Sequence, residues 1–565
     1  MQKPTKPHKG IIRSCRKDLD ILVRDLERCG LPALGPSFAT LGGSELADAL
    51  VAHRARKFLK AESKPAAQRR QETIASMLAY DSAGLTTFDY RQVPQPYRGH
   101  LLKAKALLAS WLSPQHLKRS HRFRPPSGET AVTAMGEVDL LCKLQDPSQW
   151  NVSLEASKEA AAVCYHNLQL KRLVRERYRA SNPYWREEVA RWRSASSGNI
   201  GFSVFHRMFV SLCNILNVSR LSTVPKDGSK DRPISMEPLW NMVAQLSYAS
   251  DLRSALSSAL GITLERVAEL HRTLIRHAEK ATIDFANASN SNWMCALEWL
   301  LPRHVFSKLS KLRTPVCEWN GEYHYYNMLA PMGCGFTFEV MTIVLLALAR
   351  TLDRAATVFG DDVIIVREHA MTFVELASHL GWRVNNDKSF VDGNFRESCG
   401  GFHDLSTGTD LLSYDFHEIK TEIDCTTTVN KLYRLLCADQ IGLGVREILL
   451  SCYSKMIMRL PHDVWRKASM VDEPLPEGVA IVPDKIFDVS DPGRQPSTIE
   501  RMVAGYWHQP IQVKRQWETV QSVSRVIVRD NVDQVYYACY IRRGKPYEAR
   551  NRTKSINYKT VIPAS

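Results

Sequence analysis

Apolar residues along the chain follow recognisable spacings, and each spacing predicts a particular kind of element. In residues 293–301 they recur every three or four positions, and Pro302 ends the run, which indicates an amphipathic helix. Ser289 or Ser291 is expected to cap that helix. Residues 340–349 form the longest apolar stretch of the chain, which predicts a buried helix that is too short to span a bilayer.

Two stretches nearer the C-terminus also have a clear pattern. Residues 432–458 have the composition and spacing of largely helical structure. Residues 522–541 alternate β-branched and polar side chains, which predicts a C-terminal β-hairpin.

Two short β-branched arms around Gly360-Asp361-Asp362 predict a hairpin whose tight turn carries adjacent carboxylates. Gly360 can adopt the positive φ that such a turn demands. Asp361 and Asp362, at the mouth of an apolar hairpin, repel each other and lose solvation. A divalent cation relieves both costs, and hard oxygen ligands select Mg²⁺ or Mn²⁺. A lone Gly-Asp-Asp is nevertheless more often an ordinary turn.

A third carboxylate, Asp284, lies near the end of the short predicted strand 281–286. With that strand end beside the hairpin turn, three acids on adjacent strands suffice to anchor two metal ions for phosphoryl transfer. One ion would lower the pKa of an attacking 3′-hydroxyl, and the other would neutralise the departing pyrophosphate. Between these acids, Gly333 and Gly335 precede the 340–349 helix and indicate a mobile loop that nucleic-acid backbone can approach. Alone, Gly-x-Gly is a weak signal.

Composition favours a polyanionic partner. The 565 residues carry a net charge of +16, and the positive charge is clustered. Residues 171–193 hold eight Lys or Arg against three Glu, interleaved with aromatic residues that can stack on unpaired bases. The thirteen cysteines show no C-x-x-C pair, which is typical of reduced thiols in a cytosolic protein. Residues 1–28 lack the apolar segment of a signal peptide.

Taken in order, these motifs resemble those of viral RNA-dependent RNA polymerases, specifically the replicase subunit of Qβ-like RNA bacteriophages (leviviruses). The resemblance covers residues of about 224 to 400. The segments that carry it are Val224-Pro225-Lys226, Asp231-Arg232-Pro233-Ile234 and Glu237-Pro238-Leu239-Trp240-Asn241-Met242 (basic fingers motif), 284–301 (motif A), Met332-Gly333-Cys334-Gly335-Phe336-Thr337-Phe338-Glu339 (motif B), Phe359-Gly360-Asp361-Asp362 (motif C), Asn386-Asp387-Lys388-Ser389-Phe390 (motif D) and Phe395-Arg396-Glu397-Ser398-Cys399-Gly400 (motif E).

The resemblance implies an α+β, right-hand polymerase fold of fingers, palm and thumb, with an antiparallel palm sheet backed by helices. It divides the chain into four regions: 1–200, the N-terminal region and fingers; 201–282, fingers with the basic NTP-entry motif; 283–415, the palm with motifs A to E; and 416–565, the thumb and C-terminal region.

The resemblance also implies an activity, the replication of a single-stranded RNA phage genome from NTPs by two-metal nucleotidyl transfer, and a set of site residues. Asp284, Asp361 and Asp362 would bind two Mg²⁺ ions, with Mn²⁺ able to substitute, and Phe285 could add a backbone carbonyl. Lys388 would donate a proton to pyrophosphate. The substrate would be held by Lys226, Lys230, Arg232, Asn290, Gly333 and Cys334.

Implied partners are single-stranded RNA template and product, NTPs, host elongation factors Tu and Ts, and a ribosomal RNA-binding protein. No membrane is implied, and the place of action would be the cytoplasm of the bacterial host cell.

Three positions depart from the wider family's pattern. Phe359 stands where Tyr is usual, Asn290 where motif A often has a second Asp, and Cys334 where motif B often has Asn. The amide of Asn290 can still read a ribose 2′-hydroxyl, because it both donates and accepts hydrogen bonds. Alternatively, Asn290 caps the helix that begins near Ser291.

Three other readings of the sequence stay open. A reverse transcriptase shares the acidic pattern, but it normally has an aromatic steric gate where this chain has Ser289. A catalytically decayed polymerase acting as an RNA-binding translational repressor would tolerate the loss of an acid, and none is lost. A protein-only scaffold would not need the basic, aromatic-laced stretches.

Overall fold

A computed structural model describes residues 9–59, 65–126, 131, 140–226, 230–461, 464–467 and 478–482. The helices of these residues are α1 (Lys9–Arg28), α2 (Pro36–Ala39), α3 (Gly43–Leu59), α4 (Ala66–Ser82), α5 (Gln95–Trp111), α6 (Leu140–Gln145), α7 (Ser157–His166), α8 (Leu168–Ser181), α9 (Trp185–Ser194), α10 (Ile200–Ser211), α11 (Leu239–Leu260), α12 (Leu264–Leu274), α13 (Met294–Leu300), α14 (Arg303–Leu312), α15 (Thr337–Arg350), α16 (Ala370–Ser378), α17 (Glu422–Leu436) and α18 (Leu443–Arg459). Short 3-10 helices occupy Tyr90–Gln92, Pro147–Gln149, Ala288–Asn290 and Arg367–His369.

The strands of the described residues are β1 (Asn151–Val152), β2 (Asn214–Ile215), β3 (Val218–Pro225), β4 (Asp231–Met236), β5 (Lys280–Ile283), β6 (Phe285–Ala286), β7 (Val316–Trp319), β8 (Glu322–Tyr325), β9 (Thr357–Phe359), β10 (Asp362–Val366), β11 (Arg383–Val384), β12 (Phe395–Ser398), β13 (Gly401–Asp404), β14 (Thr409–Asp410), β15 (Trp465–Lys467) and β16 (Ala480–Val482). The fold is therefore a mixture of helices and several small sheets. Within these residues, no helix is both long and apolar enough to cross a membrane.

The predicted acidic hairpin is present as β9 and β10, and the predicted strand before Asp284 is present as β5. These three form one antiparallel sheet in the order β5-β10-β9. The β-branched side chains of Val358, Val363 and Ile365 are buried, which accounts for the strand conformation of both arms.

Helix α15 forms the apolar layer behind this hairpin, and it confirms the buried helix predicted for residues 340–349. Nearly every residue of α15 is buried, because the helix packs against β9, β10 and α5. Thr342 of α15 accepts a hydrogen bond from the Gly360 N–H at 2.9 Å, which fixes the hairpin turn to the helix.

The helix predicted for 293–301 is present as α13, and the helical stretch 432–458 is present as α17 and α18. The predicted cap of α13 was wrong. Trp293 is the N-cap and makes no capping hydrogen bond. Ser291 instead lies 2.7 Å from the hydroxyl of Tyr80 on α4, so a distant helix uses the side chain that local reasoning assigned to the cap.

Two large apolar cores support the structure. The first surrounds α5, α11 and α15 together with the β5-β10-β9 sheet. The second joins α1 and α3 to α17 and α18, with Phe390, Phe395 and Phe402 between them. The division into four regions stays a prediction, and the second core crosses it by uniting residues 9–59 with residues beyond 390. The predicted hairpin at 522–541 lies outside the described residues.

Arg396, which is only 1% exposed, connects the hairpin of β12 and β13 (the motif E hairpin) to the β5-β10-β9 sheet, called the central sheet below. Its guanidinium donates five hydrogen bonds, to the backbone carbonyls of Lys280, Val391, Asp392, Gly393 and Phe395, at 2.8–3.3 Å. Burial lowers its pKa to about 10. One side chain therefore provides the hydrogen-bond donors for four carbonyls of residues 391–395 and for one carbonyl of β5.

We expect Arg396→Met to lower the free energy of unfolding by about 3 kcal/mol or more, because buried carbonyls lose their donors. Urea unfolding followed by circular dichroism measures the change. Arg367→Met is the matched control, since Arg367 is exposed and pairs with exposed Asp392, and such pairs contribute about 1 kcal/mol or less. Equal losses in the two variants would contradict the structural role of Arg396.

Candidate active site

The three predicted carboxylates lie together at one end of the central sheet. Ile283 of β5 pairs with Val363 of β10, so Asp284 and Asp362 lie at adjoining strand ends. Phe359 pairs with Asp362, which leaves Gly360-Asp361 as a two-residue turn. Gly360 has φ +66°, as the sequence predicts.

Asp284 is nearly buried and is held by residues of the segment after β11. Its carboxylate accepts a hydrogen bond from Asn385 Nδ2 at 2.8 Å and lies 3.7 Å from Lys388 Nζ. Its carbonyl accepts from the N–H of Asn385. Burial raises the pKa of Asp284 to about 6; Lys388 opposes this increase, and the charge of Asp361 adds to it.

Asp362 is held from the other side of the turn. Its carboxylate accepts a hydrogen bond from the Cys399 N–H at 3.2 Å. Cys399 and Gly400, both at positive φ, form the tight turn between β12 and β13 that aims this N–H at the carboxylate. Burial raises the pKa of Asp362 to about 7, with further increases from the charges of Asp361 and Asp284. The site thus concentrates negative charge that its own hydrogen bonds do not neutralise.

This donor set fits Mg²⁺ that arrives with a phosphorylated substrate. Within the described ranges, no three His, Cys, Asp or Glu side chains converge into a ready-made metal cage. Mg²⁺ does not require one, because it is usually bound by one or two carboxylates together with substrate phosphates and water. The roles of the three aspartates and of the Phe285 carbonyl as ligands stay predictions. The ring of Phe285 packs in the core against Phe373 and Trp382.

Lys388, the predicted proton donor, contacts Asp284 as described above. Burial lowers its pKa, but the neighbouring carboxylates, Asp284 first, outweigh burial and raise it overall. The side chain therefore stays protonated beside the acids.

The basic fingers motif forms the hairpin of β3 and β4, called the basic hairpin below. Lys226 and Lys230 flank its tip, where the Lys226 N–H donates to the Lys230 carbonyl at 2.9 Å. Arg232 is exposed on β4 opposite Val224. Lys226 and Lys230 line a cavity of about 550 Å³, and Asn290 also lines it.

Sequence reasoning missed the part of the cavity lining that belongs to α4. The α4 residues that line it are Arg69, Glu72, Thr73, Ser76, Met77 and Tyr80. Arg69 is 9% exposed and lies 3.7 Å from Asp231, which is next to the tip of the basic hairpin. In the sequence, Arg69 is one of several polar residues on a helix, so no local pattern distinguishes it from an ordinary surface arginine.

The side chain of Asn290 in motif A contacts the backbone of the glycine loop, residues 332–335. Its side-chain oxygen accepts a hydrogen bond from the Met332 N–H at 3.3 Å. Cys334 points elsewhere, because its thiol donates to Glu237 at 3.4 Å. Glu237 is fully buried, and burial raises its pKa to about 7. Asn290 does not cap α13, which starts at Met294.

The glycine loop packs on protein at one side, and the approach of nucleic acid to its partly exposed residues stays a prediction. Gly333 has φ +111°, and a Cβ at this position would lie 2.2 Å from the Ser235 carbonyl oxygen. The Met332 carbonyl accepts from the Ser235 N–H at 2.8 Å. Gly335 donates its N–H to Gln245 at 2.8 Å. Close approach of β4 and α11 therefore explains both glycines.

The basic stretch 171–193 spans α8 and α9, and its residues divide into two groups. Arg172, Arg175 and Arg179 are exposed. Tyr178 is buried, and Arg177 lies over the Trp150 ring at 4.5 Å, so these two serve the fold. Contact between the three exposed arginines and RNA phosphates stays a prediction.

Known proteins are similar to this chain over the segment that contains the candidate active site. The family described as RNA replicase, beta-chain, matches residues 204–485. The RNA-directed RNA polymerase subunit beta of Qbeta virus (strain MX1) is 32% identical over 251 residues, which are 41% of this chain and 42% of that relative. The RNA-directed RNA polymerase beta chain of Enterobacteria phage GA is 37% identical over 190 residues, 32% of this chain and 35% of that relative.

The chain spans less than half the length of these curated relatives. A solved structure, the RNA-dependent RNA polymerase of a human picorbirnavirus, aligns with 15% identity and a TM-score of 0.28, covering 44% of this chain and 58% of that one. The family match contains the basic hairpin, the three carboxylates and Lys388. Over residues 204–485 this chain is therefore similar to the beta-chains of RNA replicases.

Proposed function

We propose that this chain is an RNA-directed RNA polymerase that replicates a single-stranded RNA phage genome. The supporting observation is that Asp284 and the Asp361-Asp362 turn meet at adjoining strand ends, inside the segment that matches the replicase family. In this proposal the fold is that of a right-hand polymerase, with the β5-β10-β9 sheet and α15 as the palm. The reaction joins an NTP to the 3′-hydroxyl of RNA and releases pyrophosphate.

The carboxylates divide the work of holding metal. Bound Mg²⁺ supplies Lewis acidity at the reacting oxygens, and Mn²⁺ can substitute. Asp284 and Asp361 are the principal ligands in this scheme. Asp362 accepts a hydrogen bond from the Cys399 N–H and, as the second acid of the turn, is the minor ligand in this scheme. Lys388, at 3.7 Å from Asp284, is placed to protonate the departing pyrophosphate.

The remaining predicted residues hold the nucleotide. Lys226, Lys230 and Arg232 neutralise the triphosphate from the basic hairpin, as fixed cations do for phosphates. Asn290 reads the ribose 2′-hydroxyl through its amide NH₂ while its oxygen stays on Met332. Gly333 and Cys334 act indirectly, by setting the position of the loop that Asn290 contacts.

The proposal extends to partners. By resemblance, the chain acts on single-stranded RNA with host elongation factors Tu and Ts and a ribosomal RNA-binding protein, in the cytoplasm of the infected bacterium. Template-directed incorporation of NTPs with Mg²⁺, compared with dNTPs, separates RNA synthesis from reverse transcription. RNA binding without any incorporation would favour a decayed polymerase that acts as a repressor.

Asp284→Asn and Asp361→Asn each keep the side-chain shape but remove one negative charge. We expect nucleotide incorporation to fall by about 10³-fold or more, because several kcal/mol of metal stabilisation is lost, while RNA binding persists. Asp362→Asn should lose only about tenfold. The matched control is Asp439→Asn, an exposed carboxylate. Near-normal extension by the Asp284 or Asp361 variant would refute the two-metal assignment.

The amide of Asn290 generates a prediction about sugar selection. Asn290→Ala should lower NTP use about tenfold or more while dNTP use changes little, because a site that hydrogen-bonds a hydroxyl discriminates through that contact. Asn290→Asp is the control, since it keeps the acceptor for Met332 but loses the NH₂ donor. Cys334→Ala should matter much less, because its thiol faces Glu237. Equal losses for NTP and dNTP in Asn290→Ala would show that Asn290 only positions the loop.

The exposed arginines of α8 generate a third prediction. RNA affinity should fall steeply with salt, because neutralised phosphates release counterions. Replacing Arg172, Arg175 and Arg179 together by Gln should reduce the slope of log K against log salt by about 2, at about 0.7 per lost contact. The control triple, Arg24, Arg303 and Arg434, removes the same charge at exposed positions elsewhere. Identical slopes in both triples would exclude α8 from the RNA path.

A further inference from the structure

Helix α4 lies before the family match, yet its Tyr80 is hydrogen-bonded to the motif A turn that carries Asn290. The hydroxyl oxygen of Tyr80 lies 2.7 Å from Ser291 Oγ. Ser291 is fully buried and donates its own proton to the carbonyl of Asn287 at 3.2 Å. Because a serine hydroxyl has only one proton to donate, Tyr80 is the donor in the bond between the two hydroxyls. Two consecutive hydrogen bonds therefore connect α4 to the backbone of Asn287.

The turn that these bonds reach, residues 287–291, has an uncommon backbone conformation. Asn287 has φ +51°, in the left-handed region that residues other than glycine seldom adopt. Its carbonyl accepts the Ser291 hydroxyl and also the Asn290 N–H, the latter at 2.8 Å. Such a conformation persists only where surrounding contacts fix it. The hydrogen bond from Tyr80 is one of those contacts, and the position of the Asn290 amide depends on this turn.

The ring of Tyr80 is itself held by packing against Trp293. The two ring centroids are 5.4 Å apart, and Trp293 is buried. The indole Nε1 of Trp293 donates to the Gly381 carbonyl at 3.3 Å. Gly84 and Gly381 make room for the indole, since a Cβ at these positions would lie 2.0 and 2.3 Å from its atoms. The tyrosine hydroxyl is thus presented to Ser291 from a packed support.

Tyr80, Asn287 and Asn290 all line the cavity of about 550 Å³ that the basic hairpin also lines. We propose that Tyr80 is a positioning residue for sugar selection. Through Ser291 it fixes the 287–291 turn, and the turn holds the Asn290 amide against the ribose 2′-hydroxyl of a ribonucleoside triphosphate. This inference rests on the proposed function and deepens it. A polar group that is held in place is left unpaired by a deoxy substrate, whereas a group that can turn away finds another partner and discriminates less.

Binding of ATP and of 2′-deoxy-ATP to the full-length chain with Mg²⁺, measured by titration calorimetry, tests this role without catalysis. We expect Tyr80→Phe, which removes only the hydroxyl, to reduce the ratio of the two affinities by about threefold or more, the effect of one lost hydrogen bond. Ser291→Ala breaks the same connection and should act similarly. The ratio does not depend on the fraction of folded protein, because both nucleotides bind the same folded molecules, so a merely structural loss leaves it unchanged.

Tyr90→Phe is the matched control. Tyr90 stacks on Trp299 with 5.2 Å between ring centroids, and the described cavity lining does not include it. Its loss of a hydroxyl should leave the ratio of affinities unchanged. An unchanged ratio in both Tyr80→Phe and Ser291→Ala would overturn the inference.

Single-nucleotide extension with ATP and dATP on an RNA template measures the same preference as a ratio of kcat/KM values. Tyr80→Phe should narrow this ratio, and it should have no further effect when it is added to Asn290→Ala, because a residue that acts through another is not additive with it. Additive effects on the ratio would overturn the positioning role in favour of direct contact between Tyr80 and the nucleotide.

The wild-type chain separates failure of this inference from failure of the proposed function. Preferential binding of ATP over 2′-deoxy-ATP without extension of either would refute the proposed function and leave the ribose site in place. Equal binding and equal extension of the two nucleotides would overturn the inference and leave nucleotidyl transfer in place. Absence of both binding and extension would overturn the two together.

Discussion

Electrostatic repulsion among carboxylates that the sheet brings together is the constraint on which the candidate site depends. The pairing of β5 with β10 leaves Asp284 no position except beside Asp362. Each carboxylate is then restrained by a different partner, Asn385 and Lys388 on one side and the Cys399 N–H on the other. These partners come from the segments that follow β11 and β12, so the polypeptide after the hairpin is organised around the charge that the hairpin creates.

The same constraint accounts for the buried hydrogen bonds that surround the carboxylates. Thr342 accepts a hydrogen bond from Gly360 and so fixes the turn to α15. Arg396 donates to the backbone carbonyls of Lys280 and Phe395 at the motif E hairpin. A carboxylate with a raised pKa is sensitive to small changes in distance, because Coulomb energy varies steeply where the local dielectric constant is low. Buried hydrogen bonds from the backbone and from arginine hold those distances.

Features that depend on local pattern could be predicted from the sequence, and features that depend on distant contacts could not. The acidic hairpin, the strand before Asp284 and the helix α15 follow from β-branched arms, a turn glycine and a continuous apolar run. The cap of α13 was mispredicted because Tyr80, over two hundred residues away, engages Ser291. Gly333 looked like a flexible position, but the Ser235 backbone leaves no room for a side chain there. The part of the cavity lining that α4 supplies carries no sequence signal, because the function of an ordinary polar helix face depends on what it packs against.

The pairing of α1 with α18 has a consequence for biosynthesis. Asp18, buried in α1, accepts a hydrogen bond from Arg459 at 3.0 Å, and the apolar face of α1 is covered by helices near the other end of the described chain. Synthesis proceeds at about 5–20 residues per second, so α1 waits on the order of 20–90 seconds for α18. During that interval α3 is available to cover one side of α1, but Leu19, Leu22 and Leu26, all buried in the finished structure, belong to a core that still lacks α17 and α18. Folding of the second core therefore finishes only after α18 has been made, although α1 and α3 are made long before it.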